Sequence, residues 1–258
     1  MFESMLKSIR EAFSGEVALA HVASISRYHR MQASPGFREA AHYCQTALQE
    51  AGLDAEILSF PANTDTFFWS ARSFQEWEAQ EATLYLVSPE EERRKLCDYR
   101  TCKLSLIQRS TAFDGEVEVV LLENGEEEED YEGLDVRGKV VLTRGDIDRV
   151  RELAVEKQGA VGIIFDGMRE ASPVRQRMDL PDARQYTSFW WRGDEKTCFG
   201  FVLSPRQGEW LRSLIRKQAK EGKPPVRVQA HVDARLYDGS LEVVSALIPG
   251  RTDEEVVV

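Results

Sequence analysis

The stretch RGKVVLTRGDIDRVRELAVEKQGAVGIIFDG, residues 137 to 167, decides the fold class. Val140, Val141 and Leu142 form a short apolar run after Gly138-Lys139, the pattern of a buried strand. Asp146 is placed to cap a helix in which Ile147, Val150, Arg151, Leu153, Ala154 and Lys157 recur at helical spacing, and Gly159 stops it. A second apolar run, Val161 to Phe165, ends at Asp166-Gly167. Strand, helix and strand within about 30 residues make a βαβ unit, whose crossover helix lets the two strands lie parallel. Gly159 and Gly162 follow the helix, whereas the glycine turn of a dinucleotide site precedes one. The unit therefore reads as scaffold and not as a nucleotide site.

Working outward toward the amino terminus, Phe2, Met5, Leu6, Ile9 and Phe13 fall at helical spacing, closed by Ser14-Gly15. A second helix is expected from Glu16 to about Tyr28. Ser34-Pro35-Gly36 opens a third, with Phe37, Ala40, Ala41, Cys44, Ala47, Leu48 and Ala51 on one stripe and Gly52 as the stop. Leu53 to Phe60 reads as a strand that Pro61 ends. Residues 62 to 80 carry Phe67, Phe68, Trp69, Phe74 and Trp77 with little periodicity. Short strands are expected at Thr83 to Val87, Leu104 to Gln108 and Glu116 to Leu122.

Toward the carboxyl terminus, residues 168 to 197 are irregular and hold Phe189, Trp190 and Trp191. Phe199 to Leu203 is a further strand, and Ser204-Pro205 opens a helix closed by Gly222. Val226, Val228, Ala230 and Val232 alternate with polar residues, so one face of that strand is buried. After a Tyr237-Asp238-Gly239 turn, Leu241 to Ile248 is a strand, and Glu255 to Val258 begins another. An apolar strand that stops in mid-run lacks the neighbours it needs, so the expectation is a polypeptide cut off within a sheet.

The totals bound the function. A chain of 258 residues with 42% hydrophobic and 30% charged residues is ordinary globular material. Its net charge of −11 argues against nucleic acid as a partner, since that would need a basic face. No apolar run approaches the ~20 residues of a membrane span, and the amino terminus has no signal-peptide core. Of Cys44, Cys97, Cys102 and Cys198, the first sits on a helix stripe and the last in an apolar strand. Buried free thiols and a reducing cytoplasm are the expectation.

Candidate chemistry is sparse. His231-Val232-Asp233 imitates a zinc half-site, but only Asp238, Glu242, Asp253, Glu254 and Glu255 follow it, with no His or Cys among them. His231 also lies on the polar face of its strand. The acidic run Glu126 to Asp130 lacks the spaced ligands and turn glycine of a calcium loop. Arg144-Gly145-Asp146 leaves a strand and starts a helix, which makes its adhesion-motif spelling a coincidence. His21, His29 and His42 are scattered on helices and complete no nucleophile arrangement. Trp190 and Trp191 could line a cleft with Arg192 meeting a peptide carboxylate; otherwise these aromatics serve packing.

Three stretches together resemble a co-catalytic di-zinc aminopeptidase of the leucyl aminopeptidase and glutamate carboxypeptidase type, carrying an inserted protease-associated (PA) domain. They are Ala33 to Ala41 through Leu53; Gly138 to Leu142 with Gly159 to Ile164; and Leu241 to Val258. The resemblance implies an α/β chain in which a β-rich PA-type domain containing the βαβ unit is inserted into the truncated edge of an α/β zinc-peptidase domain. Residues 1–62 would be the helices and edge strand of the peptidase domain, 63–80 a connector, 81–237 the PA domain and 238–258 the return strands. It also implies two zinc ions in the full-length protein, a peptide substrate, and a PA domain that caps the active site. The zinc ligands and general base would lie beyond Val258, leaving this portion with no catalytic or metal residue of its own. The segment from Leu84 to Leu122 is longer than a minimal PA domain needs. The rival expectation is a stand-alone PA-like module that binds a peptide or protein partner.

Overall fold

The computed structural model describes residues 2–250 and 252, so the expected strand from Glu255 lies outside the described residues. It divides into two compact units, one of residues 1–62 with 239–258, the other of residues 63–238. None of the described helices is long and apolar enough to cross a membrane.

In the smaller unit, α1 (Phe2–Ala12), α2 (Gly15–Ile25) and α3 (Pro35–Glu50) precede β1 (Ala55–Ala62). Ser34 caps α3 by accepting from the Phe37 amide at 3.2 Å, as its place before Pro35 predicts. β1 runs antiparallel to the last strand of the chain, Gly239–Ala246, in unbroken register from Ala55 opposite Ala246 to Ala62 opposite Gly239. Ala40 and Ala41 let α3 lie close on this ribbon. On the same face Arg38 donates to buried Glu242 at 2.6 Å. Leu58, Phe60 and Val243 are exposed on the opposite face. The strand continues through Pro61 instead of ending there, because β1 has a neighbour on one side only and an edge position accommodates a residue without an N–H.

The larger unit opens with a small hairpin, β2 (Phe67–Phe68) and β3 (Ala71–Arg72), whose turn holds Trp69 at φ 57°. Then come β4 (Glu76–Ser88), β5 (Arg94–Asp98), β6 (Phe113–Leu121) and β7 (Val140–Thr143). The helix α4 starts at Ile147–Val150 and widens to a π-turn over Arg151–Lys157. β8 (Gly162–Phe165), β9 (Phe199–Val202), α5 (Pro205–Lys220) and β10 (Arg227–Tyr237) complete it, so the closing strand 239–246 is β11. The seven-stranded sheet has the order β5-β4-β10-β6-β7-β8-β9. β4, β5, β6 and β10 pair antiparallel, while β6 through β9 run parallel.

The predicted βαβ unit is present, with Val140 opposite Gly162 and Thr143 opposite Phe165. β7, β8 and β9 are buried at every position, which is why they read as unbroken apolar runs. The π-turn adds Val155 to the inward face beside Leu153 and Ala154, where a straight helix would turn it aside. The expected strand at 104–108 is absent. A 3₁₀ turn (Lys103–Ser105) leads into isolated bridges from Leu106 to Phe201 and Gln108 to Ser188. The Gln108 side chain donates to the Lys103 and Leu106 carbonyls, and Arg109 at φ 64° breaks the extension. The segment imitates a strand in sequence because from Ser105 onward it is a buried loop.

Candidate functional site

Open sheets with parallel strands hold ligands at the strands' carboxyl ends, and here β7 and β8 end beside a cavity of about 500 Å³. The first wall is Arg144 to Asp148, where β7 passes into α4. Thr143 donates to the Asn124 carbonyl and its hydroxyl accepts from the Gly145 amide at 3.0 Å. Glu126 accepts from the Asp146 amide at 2.7 Å, and Asp146 caps α4 by accepting from Arg149 N at 3.0 Å. The second wall is Phe165 with Met168 and Arg169, and the third is Gln185 to Ser188 with Trp190.

Below this cavity lies a charge network that the sequence does not announce. Asp166, directly after β8, is fully buried, and so is Arg212 on α5. Arg212 Nε and Nη2 each donate to it at 2.8 Å, and Nη1 donates to the Leu122 carbonyl at 3.0 Å. Arg144 reaches Asp166 at 3.2 Å and Glu209 at 2.7 Å, and Arg177 also pairs with Glu209. A Cβ on Gly208 would collide with the Asp166 side chain, so glycine is what lets α5 approach this closely. Arg144 thus faces the cavity with its charge already compensated.

The three residues proposed for a cleft part company. Trp190 lines the cavity and is 41% exposed, edge-on to Phe74 at 5.4 Å. Behind it the Arg109 guanidinium lies 4.4 Å from the Phe74 ring and 4.9 Å from that of Trp190. Burial pushes the Arg109 pKa down to about 10. Trp191 turns into the core, where its indole donates to the Arg109 carbonyl at 2.7 Å and stacks near Phe189. Arg192 is exposed, its amide donates to Glu195 at 2.6 Å, and it is not among the residues lining the cavity.

The imitation zinc half-site does not fit the metal. His231 Nε2 lies 3.6 Å from Glu81, whereas Nδ1 lies 3.8 Å from Asp114. The carboxylates flank opposite sides of the ring and cannot share one ion with it. Among the described residues no three His, Cys, Asp or Glu side chains are grouped to hold a metal. In the acidic run, Asp130 Oδ2 accepts from the amides of Gly125, Glu126 and Glu127 at 3.0 to 3.2 Å, so backbone donors occupy that oxygen and tie the loop to itself. All four cysteines are free; Cys97 and Cys198 are buried, while Cys44 and Cys102 are half-buried.

No protein-family model matches the chain, and no curated protein matches it either. Solved structures do. The chain is similar to an M28 peptidase precursor from Shewanella amazonensis SB2B, with TM-score 0.57 and 15% identity over 94% of this chain and 52% of that one. It is similar to an aminopeptidase from Aneurinibacillus sp. strain AM-1, with TM-score 0.53 and 16% identity over 95% and 50%. It is also similar to BSAP, a zinc aminopeptidase from Bacillus subtilis, with TM-score 0.54 and 13% identity over 90% and 48%. The chain spans about half the length of the structures it matches. At these identities the likeness is one of fold: the chain follows the fold of about half of each of these solved structures.

Proposed function

We propose that these residues form the lid-bearing portion of a zinc-dependent aminopeptidase that removes N-terminal residues from peptides. Residues 81–237, which lie within the unit of residues 63–238, act as the PA-type domain, capping the active site and restricting which peptides enter. The two zinc ions and their ligands belong to the remainder of the polypeptide, in a reducing cytoplasm that suits four free thiols. The observation that carries this reading is the extent of the likeness: 94–95% of the chain, both units included, follows a fold that fills only half of a peptidase. In such enzymes two adjacent metals generate and aim a hydroxide. The described residues do not fit that role, and no step of the hydrolysis is assigned to them.

Zinc content and hydrolysis of a chromogenic leucine anilide, measured on the 258-residue chain and on the full-length gene product, test the proposal. The full-length product should carry about two zinc ions and be active. The 258-residue chain should retain no stoichiometric zinc after dialysis and cleave nothing. A full equivalent held by the shorter chain overturns the proposal. So does a zinc-free, inactive full-length product, which would leave the stand-alone binding module.

A further inference from the structure

In the smaller unit, α1 turns a complete apolar stripe to solvent. Phe2, Met5, Leu6 and Ile9 recur on one side of the helix, and Phe13 extends the stripe because its amide donates to the Ile9 carbonyl at 2.8 Å. Phe2, Met5, Ile9 and Phe13 are 56 to 73% exposed, Leu6 is half-buried, and no residue of α1 is buried. Single exposed apolar side chains are ordinary, but five on one stripe are a contact surface that lacks its partner.

The charges of α1 say what that partner is. Lys7 and Glu11 pair with each other at 3.8 Å on the back of the helix. Glu3 and Arg10 flank the stripe on one side, about a quarter-turn from its centre, and neither has a partner among the described residues. The other flank is Ser8 and Ala12, small enough for a close approach. Glu3 and Arg10 stand seven residues, or about 10 Å, apart along the axis. When a second α1 lies antiparallel across the stripe, two-fold symmetry sets Glu3 of each copy against Arg10 of the other, so both charges are matched twice. A parallel pair would instead leave both charges facing Ser8 and Ala12. We infer that α1 is a dimerisation helix, in which the apolar stripes of two copies of this chain pack antiparallel and reciprocal Glu3–Arg10 pairs fix their register. An anionic lipid surface suits the helix less, because Lys7 and Arg10 are balanced by Glu3 and Glu11 and the chain carries a net charge of −11. Two helices of 11 residues form a contact below about 1,200 Å², the low end of specific interfaces, so dissociation in the micromolar range is expected. The pairing is independent of the peptidase reading.

Sedimentation equilibrium of the 258-residue chain over about 10 to 200 µM tests the inference, since small interfaces associate in that range. The native chain should show a dimer whose population rises with concentration, and Ile9→Glu should leave monomer throughout. Glu3→Arg and Arg10→Glu should each weaken the dimer about tenfold, because each loses both symmetric ion pairs and sets like charges together. Combining Glu3→Arg with Arg10→Glu in one chain should restore the native affinity, and mixing the two single variants should give a heterodimer of native affinity. Because no residue of α1 is buried, these substitutions leave the packed part of the smaller unit untouched. A chain that stays monomeric at every concentration overturns the inference, as does a dimer indifferent to Ile9→Glu. Failure of the double variant to recover rejects the antiparallel register. A monomer that co-sediments with phosphatidylglycerol vesicles through α1, and loses them on Ile9→Glu, would give the stripe to lipid and overturn the dimer.

Discussion

Asp166 and Arg212 close a bidentate ion pair in which both side chains are fully buried, with Nε to Oδ2 and Nη2 to Oδ1 each at 2.8 Å. The pair joins the end of β8 to the middle of α5, and Arg144 attaches the cavity wall to it. An enclosed pair of this kind adds little net stability over apolar packing, yet removing one partner strands a charge. Arg212→Met is expected to cost about 3–5 kcal/mol of unfolding free energy, measured by urea denaturation. Adding Asp166→Leu should restore part of that loss. A single variant as stable as the native chain would mean the pair is not enclosed.

Gly208 is the close-approach residue of α5, with no room for a methyl group against Asp166. Gly208→Ala ordinarily favours a helix by up to ~1 kcal/mol. Here overpacking at about 1–3 kcal/mol should win and lower the melting temperature. A raised melting temperature would show that α5 stands farther from β8.

Thiol reactivity follows burial. Loss of hydration pushes the Cys97 and Cys198 thiols up to about 12, so at pH 8 almost none of either is thiolate. Iodoacetamide should modify only the half-buried Cys44 and Cys102 in the native chain, and all four in guanidinium. Peptide mass mapping reads the result, and rapid native labelling of Cys198 would contradict the β9 packing.

In the smaller unit the stripe of α3 is tested by Ala41→Leu. Ala41 is 6% exposed, and room for three extra heavy atoms is not available beneath it without displacing β1 or β11. A loss of about 1–3 kcal/mol is expected from thermal or urea melting.

The legibility of this chain varied with how local the determining physics was. β7, α4 and β8 were readable because Asp146 and Gly159 punctuate apolar runs whose burial is complete. Residues 104–108 were misread because a buried loop and a buried strand share one composition, and the Gln108 hydrogen bonds that distinguish them lie in the side chain. Asp166 and Arg212 stand 46 residues apart, and no periodicity marks either as the other's counter-ion. Trp190 and Trp191 are neighbours, yet one faces the cavity and the other the core, so an aromatic cluster in sequence does not say which ring meets a ligand.

The ladder partnership of Ala62 with Gly239 has a genetic corollary. The polypeptide leaves the smaller unit and re-enters it at facing rungs of one antiparallel ribbon, so all 63–238 hangs from the place a tight reverse turn would occupy. Such a segment is a cassette: it can be lengthened, exchanged or deleted by recombination at two adjacent points, and every rung from Ala55 to Ala62 keeps its mate. Changes on the cassette can then accumulate without disturbing the register of the ribbon that carries it.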